Sequence, residues 1–85
     1  MKFLRSEFTV GTDEVIEVTL DKQANVRLLD DTNFSRYKRG ERHTCYGGLA
    51  KISPVRLSPP HYGRWHVVVD LGGYRGSVRA SMALL

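Results

Sequence analysis

The residue of this chain whose type best suits covalent chemistry is its one cysteine, Cys45. Cys45 stands two positions after His43, and in an extended strand the two side chains would share a face. A catalytic cysteine needs a nearby base and a third group that orients the base, and His61, His66 and Asp70 are the other candidates. Their spacing does not bring them together, and a thiol with an ordinary pKa is usually an inert, small apolar group. A cysteine-dependent enzyme that uses Cys45 is therefore the third of three hypotheses.

No recognised metal or cofactor motif accompanies these residues. The three histidines and the cysteine lack the ligand spacing of known metal sites. A strand pattern follows each of the two glycine pairs, Gly47-Gly48 and Gly72-Gly73, whereas a phosphate-binding loop leads into a helix N-terminus. We therefore predict a noncatalytic chain without metal or cofactor, in which the glycine pairs form turns or bulges.

The main charge feature is a basic segment over residues 36–42. It holds four of the chain's 13 basic residues and one of its 9 acidic residues, and the remainder is nearly neutral. Cations can neutralise phosphates, and the nearby Tyr37 and Tyr46 could stack on bases. Four cations without a known motif make nucleic-acid binding the second hypothesis. The cations of the segment are Arg36, Lys38, Arg39 and Arg42.

Length and composition restrict the class of protein. With 85 residues, 41% of them hydrophobic, the chain has the size and composition of one globular domain over residues 1–85. A single cysteine excludes an internal disulfide and fits a reducing compartment. Charge interrupts the first apolar residues, and no apolar run approaches the ~20 residues of a spanning helix. We expect a cytoplasmic protein that does not contact membranes.

The elements that must position these residues are mostly strands. Apolar residues alternate with polar ones in several short runs, and turn residues separate the runs. This pattern predicts an all-β fold, either a small antiparallel β-sandwich of jelly-roll type or a partly open barrel. The runs lie at residues 14–20, 26–28, 55–57, 65–71 and 78–84, with a weaker candidate over residues 3–10.

One strand connection can be predicted in detail. The pair Gly72-Gly73 suits a two-residue type I′ hairpin between the runs at 65–71 and 78–84, because both central residues of that turn need positive φ. This register places Asp70 opposite Arg75 and puts His66, Val68 and Asp70 on the outward face. A four-residue loop over residues 72–75 would also match the faces.

A short helical turn is predicted over residues 33–39. Asp31 or Thr32 could cap its start, and Phe34 and Tyr37 would share its buried face. Gly40 suits the position after its end. Lys38 and Arg39 would then complement the negative end of the helix dipole.

Several segments also resemble a known family, catalogued as domain of unknown function 1883. The specific matches are WHVVVDLGG at residues 65–73 and GSVRAS at residues 76–81, and further ones lie at residues 25–30, 33–37, 46–50 and 53–55. The resemblance implies a small all-β domain of bacterial origin, with relatives in which such a domain adjoins a Toll/interleukin-receptor-type domain. It implies no established activity and no catalytic residues.

The first hypothesis is a noncatalytic recognition module with an accessory or sensory role. Small β-sandwiches often bind ligands through loops at one end, and the loops of this chain carry aromatic and hydrogen-bonding groups suited to a small molecule, a carbohydrate or a protein. A homodimer that forms by pairing of edge strands is also compatible with this pattern. The predicted ligand-binding residues are Tyr46, His61, Tyr62, Tyr74 and Arg75.

Overall fold

Seven strands and one helix are present in the computed structural model, which describes residues 3–85. The helix, α1, is Asp31–Lys38. The strands are β1 (Leu4–Val10), β2 (Ile16–Leu20), β3 (Ala24–Asp30), β4 (Tyr46–Ala50), β5 (Val55–Leu57), β6 (Gly63–Asp70) and β7 (Ala80–Leu84).

The strands form two separate antiparallel sheets. One has four strands in the order β1-β6-β3-β4, and the other has three in the order β5-β2-β7. The arrangement is a small all-β sandwich and not a closed barrel, so the predicted fold class is confirmed. The edge strands are β1 and β4 in the larger sheet and β5 and β7 in the smaller one.

The main core lies between the sheets, because each strand turns its alternating apolar residues inward. In β2, for example, Ile16 and Val18 are fully buried, while Glu17 and Thr19, which alternate with them, are more exposed. Trp65 is 2% exposed in the same core, as expected, and its indole N–H donates to the His61 carbonyl oxygen at 3.1 Å. The other core residues of the described chain include Val10, Leu20, Val26, Leu28, Val67 and Val69.

The second face of β6 is buried as well, which corrects the expectation that it faces solvent. His66, Val68 and Asp70 are 5%, 0% and 1% exposed, because α1 covers this face. Phe34 and Tyr37 of the helix pack with Leu29 and Val68 into a second apolar cluster. A central strand buried on both faces carries consecutive apolar residues, as the three valines of β6 do.

Helix α1 begins two residues earlier than predicted. The N-cap is Asp30, whose carboxylate accepts a hydrogen bond from the Asn33 N–H at 2.8 Å, rather than Asp31 or Thr32. The C-terminal end follows the prediction, because Gly40 has a φ of 72° and its N–H donates to the Tyr37 carbonyl oxygen. With the Glu41 N–H bonded to the Arg36 carbonyl oxygen, this is a Schellman motif. No helix among residues 3–85 is long and apolar enough to cross a membrane.

The predicted hairpin between β6 and β7 is wrong. The strands β1 and β3 occupy the two edges of β6, and β7 pairs with β2 in the other sheet. The turn itself agrees with the prediction: Gly72 and Gly73 have φ values of 64° and 91°, and the Tyr74 N–H donates to the Leu71 carbonyl oxygen. The chain then crosses to the second sheet, so Asp70 does not lie opposite Arg75.

Candidate functional site

A buried carboxylate joins three parts of the chain where β6 ends. Asp70 Oδ1 accepts from Asn25 Nδ2 at 2.9 Å and from the Gly72 N–H at 2.8 Å. Asp70 Oδ2 accepts from Arg27 Nε at 3.0 Å and from the Tyr37 hydroxyl at 2.7 Å. Four donors fill the roughly four acceptor positions of a carboxylate. Asp70 therefore links β3, α1 and the turn after β6, and presents no free base.

The same bonds determine the protonation of this network. Burial disfavours the charged carboxylate, but the hydrogen bonds from Asn25, Tyr37, Arg27 and Gly72 outweigh burial and lower the pKa of Asp70. Burial and the bond to Asp70 raise the pKa of the Tyr37 hydroxyl. Burial also acts against the charge of Arg27, yet its partners Asp70 and Cys45 raise its pKa overall. At neutral pH the network thus holds one carboxylate, one guanidinium and one neutral phenol.

Cys45 lies beside this network and next to a cation. Its Sγ is 3.9 Å from Arg27 Nη1, and its side chain packs against the cluster under α1. No histidine in the described part of the chain forms a hydrogen bond with Cys45. His43 instead uses Nδ1 to contact the Glu41 carbonyl oxygen at 3.0 Å. The cysteine-enzyme hypothesis therefore lacks a positioned base among residues 3–85.

A second polar pair fastens the start of α1 to the sheet. His66 is stacked on Phe34, with 4.3 Å between ring centroids, and its Nε2 lies 2.6 Å from Asp31 Oδ1. Arg5 Nη1 lies 3.1 Å from His66 Nδ1. Because an arginine can only donate, Nδ1 is the acceptor and Nε2 carries the proton that is donated to Asp31. Both ring nitrogens are occupied, so His66 is a connector between β1, β6 and α1.

An open groove of about 860 Å³ begins beside this network, where β6 passes into its following loop. Its volume lies within the usual range for small-molecule sites. The strands supply apolar side chains, and the loop over residues 73–78 supplies the remaining wall. The apolar lining residues are Phe3, Leu4, Val69, Leu71 and Val78.

Two of the predicted ligand residues line this groove. Tyr74 is 85% exposed, and Arg75 follows it in the same loop. Neither side chain forms a hydrogen bond or an ion pair with any residue that the structure describes. The loop thus offers an aromatic ring, a hydroxyl and a guanidinium beside an apolar wall.

The other three predicted ligand residues lie near the opposite end of β6. The Tyr46 and His61 rings contact the Trp65 ring, with centroids 6.0 and 5.0 Å apart, respectively. Tyr62 lies against Gly11, beyond the end of β1. Trp65 and Asp70 are five positions apart in an extended strand, which corresponds to roughly 17 Å. The structure therefore separates the five predicted residues into two groups and places one group at the groove.

The basic segment is partly neutralised by its own neighbours. Arg39 forms two hydrogen bonds with Glu41, at 2.9 and 3.1 Å, and the guanidinium lowers the pKa of that carboxyl. Lys38 Nζ lies 4.8 Å from the centre of the Phe34 ring. Arg36 and Arg42 are exposed, and neither forms an ion pair within residues 3–85. Arg39 is thus paired with an acid and Lys38 lies over a ring, and the charge of Arg36 also contributes to lowering the pKa of Glu41.

Comparison with known proteins identifies the family. A family model described as a domain of unknown function, DUF1883, matches residues 1–85. The chain belongs to the DUF1883 family. No curated protein and no solved structure shows significant similarity to this DUF1883 chain. No group of three or more potential metal ligands occurs among its described residues.

Sequence reasoning missed the Asp70 network of this DUF1883 chain. It placed Asp70 on a solvated face, with Arg75 as its partner. Two signals pointed elsewhere: Val68 interrupts the supposed polar face of β6, and the buried face of α1 needs an apolar surface to pack on. An acidic residue directly before a glycine turn is also well placed to accept a turn N–H, as Asp70 does from Gly72.

Proposed function

We propose that this chain is a noncatalytic recognition module that binds its ligand in the groove at the end of β6. In this proposal it acts as an accessory or sensory domain in a bacterial cytoplasm. The observation that carries the proposal is the combination of an apolar groove wall with Tyr74 and Arg75, two exposed side chains without described partners.

The placement of these two residues supports binding rather than packing. A tyrosine that is 85% exposed contributes little to the core, and its ring offers a large, rigid contact surface at low entropic cost. A loop carried by a rigid sheet is a common place for binding residues. Asp70, at the base of this loop, holds the turn through the Gly72 N–H and so orients the residues that follow.

The experiment is a ligand screen followed by nuclear magnetic resonance. Isotope-labelled protein is titrated with mixtures of sugars, nucleotides, short peptides and small amphiphiles. We expect the amide shifts that change to include those of Leu4, Leu71, Tyr74 and Val78, and we expect Tyr74→Ala to abolish them. Tyr62→Ala is the matched control, because Tyr62 is 72% exposed and lies outside the groove.

Two outcomes would contradict the proposal. One is the absence of any ligand that perturbs the groove amides. The other is turnover of a hydrolase or transferase substrate that is lost in Cys45→Ala, since the module would then be an enzyme.

Nucleic-acid binding is the second candidate, and the exposed Arg36 and Arg42 are the observation that favours it. Its test is a salt titration with single-stranded and duplex oligonucleotides. Binding that weakens with salt, and whose salt slope falls when Arg36, Lys38, Arg39 and Arg42 are replaced by Gln, supports this candidate. An unchanged slope excludes the segment as the contact surface.

A further inference from the structure

The arginines of this chain differ in whether a carboxylate lies close enough to form an ion pair with them. Within residues 3–85, carboxylate oxygens lie within 4.0 Å of Arg5, Arg27, Arg39, Arg56 and Arg64. Arg75 differs from this set, because it lines a groove and has no carboxylate partner in the described chain. Its positive charge is therefore available to a molecule that enters the groove.

A second cation approaches the same wall. A methyl group at Gly76 would lie 3.5 Å from Lys22 Nζ, so the ammonium group of Lys22 reaches the loop one residue after Arg75. Lys22 also forms no ion pair within the described residues. Lys22 comes from the segment between β2 and β3 and does not itself line the groove, but its ammonium group lies beside the loop that carries Arg75.

The nearby carboxylates do not cancel this charge completely. Asp70 is part of the groove lining, but its oxygens are filled by four donors, one of which is the cation of Arg27. Asp21 is exposed and accepts the Arg79 N–H at 2.9 Å. The groove wall therefore carries an excess of positive charge, which favours an anionic group on the ligand.

The opposite side of the groove calls for an apolar ligand body. Leu4, Leu71 and Val78 line it with partly exposed apolar side chains, whereas Val69 beside them is fully buried. A bare inorganic anion would leave this surface exposed to water, whereas an apolar body would cover it. The Tyr74 ring can extend the apolar contact, and its hydroxyl can donate to an anion.

We infer that the groove binds a small anionic amphiphile, with an apolar body against the strands and a carboxylate, sulfonate or phosphate held by Arg75 and Lys22. This inference rests on the proposed function and specifies its ligand class.

The test uses two fluorescent probes with the same body, one charged and one neutral. Anilinonaphthalene sulfonate carries the anion, and N-phenylnaphthylamine is its uncharged counterpart. For wild-type protein we expect the sulfonate to bind about five- to tenfold more tightly than the neutral probe, as expected for one charge-assisted hydrogen bond in a partly open site. The difference should shrink as salt is added.

Variants locate the anion. Arg75→Gln and Lys22→Gln should each weaken sulfonate binding several-fold and leave neutral-probe binding unchanged, and Arg75→Lys should restore part of the loss. Arg42→Gln is the matched control, because Arg42 is an exposed arginine outside the groove. This variant should bind both probes like the wild type. Circular dichroism checks that each variant is folded.

The outcomes separate this inference from the proposed function. If both probes bind equally, and both are lost in Tyr74→Ala, then the groove takes neutral ligands; the inference is wrong and the recognition function stands. If neither probe binds and the ligand screen is also silent at the groove, both are wrong. If sulfonate binding is lost in Arg42→Gln but kept in Arg75→Gln, the anion site lies elsewhere and the inference is wrong.

Discussion

Asp70 and Arg75 are five positions apart in the chain, yet they belong to regions that use polar side chains in opposite ways. Beneath α1, Asp70 is 1% exposed and accepts four hydrogen bonds. In the loop that follows, Arg75 is exposed and has no partner among the described residues. The polar groups of the first region stabilise the fold, and those of the second have the free hydrogen-bonding capacity that a ligand needs.

The difference shows why residue type alone is a poor guide to a site. Asp70, Arg27, Tyr37, Cys45 and His66 are all reactive or ionisable residues, and the contacts that the structure gives them connect α1 to the larger sheet. A buried polar network that is fully paired adds rigidity, whereas a ligand requires groups whose partners are still to come. Predictions that separate the two regions therefore compare stability with binding.

The largest effect is expected for Asp70→Asn. The change keeps the size of the side chain but removes the charge that Arg27 and Tyr37 face, so the free energy of unfolding should fall by about 3–5 kcal/mol. Urea unfolding followed by circular dichroism measures it. Asp13→Asn is the control, because Asp13 is exposed and should change stability by less than about 0.5 kcal/mol. Equal effects in the two variants would mean that the network does not stabilise the fold.

Acid should weaken the same region. The lowered pKa of Asp70 means that the unfolded chain takes up this proton first, near its ordinary value of about 3.9. Between that value and the lower pKa of the folded state, the unfolded chain binds more protons, so the free energy of unfolding falls as the pH falls. Urea unfolding between about pH 5 and pH 2 should show this slope in the wild type. A slope of the same size in Asp70→Asn would assign it to other carboxyl groups.

Removing one donor should cost less than removing the carboxylate. Tyr37→Phe keeps the ring against Phe3 but deletes the hydroxyl that bonds to Asp70 at 2.7 Å, so stability should fall by about 1–2 kcal/mol. Tyr62→Phe changes an exposed tyrosine and should have almost no effect. A neutral result for Tyr37→Phe would mean that water replaces this bond at little cost.

Alkaline conditions test the same Tyr37 hydroxyl, because they remove its proton. Its raised pKa means that its contribution to stability is present below the ordinary tyrosine pKa of about 10 and is lost as the pH rises towards the higher folded-state value. Wild-type protein should lose stability in this range more steeply than Tyr37→Phe. Parallel pH profiles from urea unfolding would show that Tyr37 is not the group responsible.

The smallest effect on stability is expected in the groove. Arg75→Gln and Tyr74→Ala remove exposed side chains without described partners, so each should change the free energy of unfolding by less than about 0.5 kcal/mol. Both should nevertheless weaken ligand binding. A loss of more than about 1 kcal/mol in either variant would place the loop within the folding core and would remove the contrast between the two regions.

The local sequence was sufficient to predict several elements, because interactions between residues close in the chain determine them. The alternation in β2, the end of α1 at Gly40 and the turn at Gly72-Gly73 all depend on side chains or φ angles within a few residues. The burial of Phe34, Tyr37 and Trp65 also followed from local spacing. The all-β sandwich could be predicted because several alternating strands separated by turns have few other ways to bury their apolar faces.

Strand order and side-chain partners were decided only by the tertiary structure. Whether β6 pairs with β7 or with β1 and β3 depends on contacts between residues far apart in the chain, and local alternation is the same in either case. Once β1 and β3 occupy both edges of β6, Asp70 faces Arg27 and Tyr37 rather than Arg75. That pairing fills the hydrogen-bonding capacity of Asp70 and leaves Arg75 beside an apolar groove. The sequence by itself thus determined the elements and the residue types, and the long-range pairing decided which polar groups are satisfied within the fold.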